Sequence, residues 1–360
     1  MLVKAAVLRE PQAPYTIEDV ELDEPGPGQV RVRVVGAGIC HTDVVPRGVS
    51  LSPLPIVTGH EGSGVVDAVG EGVEGIAVGD HVVLTFDSCG ECEQCKENHP
   101  AYCETFLMRN LVGRELDGTT CMHDAGGEEV SARWFGQSSF ATFAIANTRN
   151  TVVVDKDLPL DKLGPLGCGI LTGAGSIVSA MDVQPGRSLV VTGAGAVGLA
   201  AIMAAKVIGA NPIIAVDLHE SRLELAKELG ATHTVNGAGD VAAEVLAITG
   251  AGAHYAFDTT GVPAVIQTAL ASLRMSGVLG LVGVQQGEVV LDGFTQLGKT
   301  IMTIFEGDVV PQEMIPKLIG WWRNGEFLFD RLIETFPFDQ INEAEEASLS
   351  GRVVKPVLLF

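Results

Sequence analysis

The chain has 360 residues, 46% of them hydrophobic, and carries 45 acidic against 23 basic residues for a net charge of -22. That length exceeds the size at which a single core usually stops growing, so two domains are expected. The charge argues against nucleic acid and anionic membrane surfaces as partners, since both would be repelled, and leaves a small neutral substrate unaffected.

In chain order, the opening "MLVKAAVLRE" has no long apolar run after its basic residue, and the most apolar later segment is interrupted by Lys206, Asn211 and Pro212. Neither a signal peptide nor a membrane-spanning helix is expected, which points to a cytoplasmic protein whose thiols stay reduced. The first 150 residues read as β-rich, with short runs such as "VRVRVVGAG", "GSGVVDAVG" and "DHVVLTF" between Gly, Pro and Asp turns. Inside this region Cys40 opens "CHTD", and His60 and Glu61 stand in "GHEGSGVV". Each suits a small core position when taken singly.

The stretch "CGECEQCKENHPAYC" then places Cys89, Cys92, Cys95 and Cys103 within fifteen residues of a chain with seven cysteines in all. Such spacing lets one knuckle of backbone aim several thiolates at one tetrahedral centre, so a closed structural zinc site is the reading. An iron-sulfur cluster uses similar spacings and is the rival. A nucleic-acid zinc knuckle is disfavoured by the acidic surroundings. The Gly-rich passage from Gly164 to Gly175, which contains Cys168, reads as a linker.

From Ser188 the pattern becomes strand, glycine turn, alanine-rich helix, strand: "SLVVT", "GAGAVGLAAIMAAKVIGA", "NPIIAVDL", "HESRLELAKELGA". That alternation predicts a parallel, doubly wound sheet, continued by "HYAFDTTG" and "VLGLVGV". Gly193, Gly195 and Gly198 fit GxGxxG directly after an apolar strand, with Val197 inside the motif and Asp217 ending the next strand 19 residues later. The first glycine permits the turn, the second lets backbone approach a pyrophosphate, and the third allows close helix-to-strand packing. Asp217 can bond both ribose hydroxyls and would repel a 2′-phosphate, so NAD is favoured over NADP. The tail predicts a helix at "MIPKLIGWWRN" and a closing strand at "VVKPVLLF".

The ordered set "GICHTD", "GHEGSG", the four-cysteine loop, "GCGILTGAGS", "GAGAVG" and "GRVVKPVLLF" resembles the zinc-dependent medium-chain alcohol dehydrogenases over essentially the whole chain. "GPLGCGILTGAGS", "FGQSSFATFA" and "RNTVVV" are most similar to the bacterial aryl-alcohol (benzyl alcohol) dehydrogenases. The resemblance implies a GroES-like β-rich catalytic domain at 1–168, completed by 305–360, and a Rossmann domain at 169–304. It implies two Zn2+ per chain, one structural and one catalytic, NAD as hydride acceptor, a small alcohol or aldehyde as substrate, and a homo-oligomer, dimer or tetramer.

Carried over by position, Cys40, His60 and Cys168 become the catalytic ligands, the Cys2His set known for alcohol dehydrogenases as a family, with a fourth position left for water or substrate. Thr42 matches the hydroxyl that accepts the alcohol proton, Asp43 the acid that orients His60, and Glu61 an acid near the zinc. His41 and Lys355 fall where the family contacts the pyrophosphate, and Arg222 where a basic residue flanks the adenosine ribose. Cys121 matches no ligand. One departure stands out: the histidine that many members carry three residues beyond Thr42 is Val45 here. A glutathione-linked formaldehyde dehydrogenase and a general aliphatic alcohol dehydrogenase are the enzymatic alternatives, and a catalytically silent NAD sensor is the alternative from another class.

Overall fold

The computed structural model describes residues 1–48 and 51–360. Chain contacts divide it into two compact units, one of Met1–Cys168 with Val310–Pro316 and Asp330–Phe360, the other of Gly169–Val309 with Lys317–Phe329. Among the described residues no single helix is long and apolar enough to cross a membrane.

The first unit is β-rich, as expected. Its larger sheet runs in the order Thr151–Val154, His81–Leu84, Glu61–Val69, Gln29–Gly38, Lys355–Leu359, Ile333–Pro337, with Phe143–Asn147 also paired to Gln29–Gly38. The Gln29–Gly38 strand shows why: Val30, Val32 and Val34 are buried and alternate with Arg31 and Arg33, the period-two pattern of a sheet with one face in the core. The tail strand Lys355–Leu359 pairs antiparallel with Gln29–Gly38 and parallel with Ile333–Pro337. A smaller antiparallel sheet orders Ile56–Val57, Leu2–Leu8, Thr16–Leu22, Met122–His123 and Glu129–Val130.

The second unit is the doubly wound sheet, six parallel strands in the order His233–Asn236, Ile213–Asp217, Leu189–Thr192, Ala253–Asp258, Leu273–Leu281, Thr300–Thr303. In chain order that is 3-2-1-4-5-6, the Rossmann arrangement. Leu189–Thr192 is buried at every position, because helices cover both faces of such a sheet and leave no reason for alternation. The predicted tail helix spans Pro311–Arg323.

The Gly164–Gly175 passage carries the chain from the first unit into the second at Cys168–Gly169, as an ordered connection. It forms a 3-10 turn at Gly164–Gly167 and an α-helix at Gly169–Gly175, buried throughout. A Cβ on Gly164 would overlap the Glu61 carbonyl oxygen, and one on Gly173 would overlap that of Val197. Glycine is used here for close backbone approach and not for chain flexibility, a distinction that composition alone does not make.

Candidate functional site

Three separated segments meet beside the larger sheet of the first unit. Cys40 follows the Gln29–Gly38 strand and precedes the 3-10 helix His41–Arg47; His60 immediately precedes the Glu61–Val69 strand; Cys168 follows the Gly164–Gly167 turn. Gly38 and Glu61 are register partners, which brings the first two segments together, and the overlap that only a glycine at 164 avoids holds the third against Glu61. As a result one ligand atom each from Cys40, His60, Glu61 and Cys168 lies within 4.8 Å of the others.

The His60 ring is fully buried. Its Nδ1 lies 2.8 Å from Asp43 Oδ1, so the ring donates there, and Nε2 has no hydrogen-bond partner among the described residues. A buried ring nitrogen with a lone pair and no donor facing it is what a metal ligand looks like without its metal. Asp43 is itself 1% exposed and fully engaged: Oδ1 also accepts from Gly59 N at 2.9 Å and Trp134 Nε1 at 3.1 Å, and Oδ2 accepts from Cys40 N at 3.0 Å. Thr42 Oγ1 sits 3.9 Å from Cys40 Sγ. Lys355, at 3% exposure, donates from Nζ to Glu61 Oε1 at 2.9 Å, Glu61 Oε2 at 3.0 Å and Ile39 O at 3.1 Å.

The electrostatics agree with a cation site. A hydrogen bond from Cys168 holds the Cys40 thiol well below its ordinary range, against burial and with help from His60 and Lys355. Burial works against a charged His60, yet Asp43 and Cys40 together raise its pKa well above the usual value. Burial pushes the Glu61 carboxyl up, and the Lys355 ammonium opposes it. The two thiols and two carboxylates thus favour positive charge at this point, as a divalent cation among the same donors would supply.

The four-cysteine loop forms the second cluster. Cys89, Cys92, Cys95 and Cys103 each bring their sulfur to within 4.8 Å of the others, and none of the four is in a disulfide. Backbone N–H groups of Glu91 and Cys92 point at Cys89 Sγ at 3.4 and 3.3 Å, and that of Cys89 points at Cys103 Sγ at 3.3 Å. Such donors stabilise thiolates. Burial pushes the Cys95 thiol up to about 12. Cys121 belongs to neither cluster; its thiol lies 3.7 Å from Ala132 O.

In the second unit the glycine turn joins the Leu189–Thr192 strand to the helix Ala196–Val207. Gly193 has φ +91, and a Cβ on Gly198 would overlap Gly193 O. Gly195 is different, because a Cβ there would meet nothing within 4 Å. Among the described residues no contact requires a glycine at 195, which leaves the backbone there open to the close approach of a phosphate. Val197 is half-buried in the first turn of that helix. Asp217, at the end of the Ile213–Asp217 strand, accepts from Ala194 N at 2.8 Å and His219 N at 2.9 Å, which holds its carboxylate beside the turn. Arg222 lies half-buried in the helix Glu220–Leu229, its pKa lowered by burial against the pull of Asp217. His41 is exposed. We expect Asp217→Ala to shift the ratio of kcat/KM for NAD over NADP toward NADP by about 10- to 100-fold, the worth of a charge-assisted hydrogen bond. An unchanged ratio in steady-state assays with both cofactors would show that another group discriminates.

Sequence reading did not single out Trp134, Phe135 or Gln137. The Phe135 ring stacks on the His60 imidazole at 4.4 Å between centroids and 22° between planes. Gln137 Nε2 donates to His60 O at 2.9 Å, and its Oε1 accepts from Gly62 N at 3.1 Å. Phe135 and Gln137 lie in the "FGQSSFATFA" motif that carries part of the resemblance, but nothing in that motif assigns them a role at the site.

Comparison with known proteins follows the same division. The family described as alcohol dehydrogenase GroES-like domain matches residues 26–156, and that described as zinc-binding dehydrogenase matches 196–323. A geraniol dehydrogenase of Castellaniella defragrans is 44% identical, with 99% of this chain and 97% of the relative covered. A probable alcohol dehydrogenase of a Pseudomonas species is 42% identical over 75% of this chain and 88% of its own length. Among solved structures, an alcohol dehydrogenase zinc-binding domain protein from Burkholderia ambifaria superposes with a TM-score of 0.98 at 46% identity, covering 100% of this chain and 99% of its own. The benzyl alcohol dehydrogenase of Acinetobacter calcoaceticus does so with 0.96 at 42% identity and the same coverage.

Proposed function

The chain belongs to the zinc-dependent medium-chain alcohol dehydrogenases, and from that premise we propose that it oxidises a primary alcohol whose carbinol carbon adjoins a π-system, aromatic or allylic, to the aldehyde with NAD as acceptor. The observation that carries the chemistry is the buried, unpartnered His60 Nε2 between two cysteines. The substrate class rests on the geraniol and benzyl alcohol dehydrogenases at 44% and 42% identity.

Cys40, His60 and Cys168 hold the catalytic ion, and Cys89, Cys92, Cys95 and Cys103 the structural one. When bound, zinc acidifies an alcohol and NAD accepts hydride. The chain's own residues do the rest. Asp43 keeps the His60 proton on Nδ1 so that Nε2 faces the ion, and Thr42 takes the hydrogen bond of the alcohol. The Lys355 ammonium neutralises Glu61, which keeps a second carboxylate beside the ion without adding net charge. Gly193, Gly195, Val197, Gly198, Asp217 and Arg222 receive the dinucleotide.

Loss of hydride leaves positive character on the carbinol carbon, and an adjacent π-system delocalises it. A panel of benzyl, cinnamyl and allylic terpenoid alcohols, ethanol and S-hydroxymethylglutathione, followed by NADH absorbance, tests the assignment. We expect kcat/KM for the best π-adjacent alcohol to exceed that for ethanol by about 100-fold, a difference that pocket discrimination can supply. A preference for S-hydroxymethylglutathione or ethanol would overturn it.

Two clusters of thiols placed for metal, with no disulfide among the described cysteines, suit a cytoplasmic setting. Exposed Met275, Val284, Val290, Phe294 and Leu297, around the approach to the Thr300–Thr303 strand, support a homo-oligomer.

A further inference from the structure

The segment 134–139, "WFGQSS", has a backbone that packing alone does not require. Phe135 sits at φ 49, ψ 36, Gly136 at φ 65 and Ser138 at φ 49, three left-handed residues within four positions. A bulky aromatic residue in that region is an outlier, and such conformations persist where the surroundings over-determine them. Here the surroundings are the backbone on both sides of His60. Ser138 Oγ donates to Val57 O at 2.7 Å, Phe140 N to Thr58 O at 3.0 Å, Ser139 N to Gly59 O at 2.8 Å and Gln137 Nε2 to His60 O at 2.9 Å, while Gly62 N donates to Gln137 Oε1 at 3.1 Å.

The side chains act on the same residue by two further routes. Phe135 lies flat on the His60 imidazole, and Trp134 Nε1 donates to the Asp43 oxygen that also receives His60 Nδ1. The backbone, the ring plane and the orienting carboxylate of one histidine are thus all held by a single turn that supplies no ligand itself.

We propose that residues 134–139 form a clamp that sets the orientation of His60 before metal arrives, with Trp134 and Phe135 as positioning residues for the catalytic ion. The proposal rests on the assignment of Cys40, His60 and Cys168 to that ion. A ligand held in place loses less freedom on binding, so the clamp acts on how tightly the ion is kept and on its coordination geometry.

Two conservative variants of the full-length zinc protein test it. Trp134→Phe removes the N–H and keeps an aromatic ring; Phe135→Leu keeps an apolar side chain of similar length and removes the flat face. With a chelator in excess, we expect each variant to release its first zinc about tenfold faster than wild type, in line with the loss seen when the outer partners of metal ligands are removed. The second zinc, in the four-cysteine loop, should leave at the wild-type rate. After replacement of the exchangeable ion by Co2+, the visible d–d bands should shift in both variants. Wild-type release rates together with superimposable cobalt spectra would overturn the clamp.

If the wild type itself has no exchangeable zinc, the fault lies in the assignment of the ion and not in the clamp. Should a variant fail to fold, the wild type decides by itself. Reciprocal coupling requires that loading the exchangeable site slow hydrogen exchange at the Trp134 indole relative to those of Trp321 and Trp322. Equal exchange with and without that ion would equally overturn the proposal.

Discussion

Cys168→Ser will lower kcat for alcohol oxidation by about 10,000-fold or more, equivalent to roughly 5.5 kcal/mol in the barrier, while leaving a folded protein that keeps one of its two zinc ions. Serine is nearly isosteric, and the buried turn and helix on either side of residue 168 have no reason to move. What changes is the donor. A serine hydroxyl keeps its proton at neutral pH, whereas a thiolate both binds the ion and offsets its charge. The hydrogen bond from Cys168 is also the largest influence lowering the Cys40 thiol, so the substitution weakens a second ligand at the same time. Zinc analysis should fall from about two to about one per chain, with thermal unfolding displaced by only a few degrees. A variant that retains both ions and more than about one per cent of its turnover would remove Cys168 from the ligand set.

The other large effect is on stability. Cys103→Ser will destroy the four-thiolate site, and the consequence differs in kind because that site takes no part in the reaction. A structural zinc contributes apparent binding free energies of about 10 to 16 kcal/mol in small domains, comparable with the entire stability of a typical protein. The regular structure of the loop from Cys89 to Cys103 is a one-turn helix at Glu93–Lys96 and a 3-10 turn at Pro100–Tyr102, both close to the four sulfurs in sequence. We expect the melting temperature to fall by about 10 °C or more and limited proteolysis to cut first within 89–103. Activity per correctly folded molecule should stay near wild type. Intact resistance to proteases across the loop would show that the polypeptide holds its shape without the ion.

What could be read in the sequence was whatever lay close together along it. The four-cysteine site and the glycine turn each occupy a short window, and their spacing alone carries the chemistry. Cys40, His60 and Cys168 were legible only through resemblance, because 108 residues separate the last two and no spacing rule reaches so far. Gly164–Gly175 does hold the boundary between the units, but glycine marks both a turn and a tight contact, and a one-dimensional reading does not show that the passage is buried and helical. Lys355 was placed by analogy at the cofactor, and its hydrogen bonds to Glu61 could not be read from the sequence, since 294 positions separate the two. Trp134 left no signal, and Phe135 stood only at the start of the "FGQSSFATFA" motif, with no role attached to it. Buried aromatic residues are the commonest material of a core, and what sets these two apart is an orientation about an imidazole some 75 residues away.

The pairing of Lys355–Leu359 with Gln29–Gly38 imposes an order on events at the ribosome. The Gln29–Gly38 strand emerges early, yet one of its hydrogen-bonded neighbours is not synthesised until more than 300 residues later. The strands from Leu189 to Thr303 are all available before then, and each pairs within its own contiguous stretch. The nucleotide-binding sheet can therefore close first although it is encoded second, while the β-rich unit waits with an open edge and a buried Glu61 that still lacks its lysine. During that interval the nascent chain is exposed to mispairing at Gln29–Gly38, and a chain ending at residue 330 would hold every strand of the dinucleotide-binding sheet while lacking the last strand of the metal-binding one.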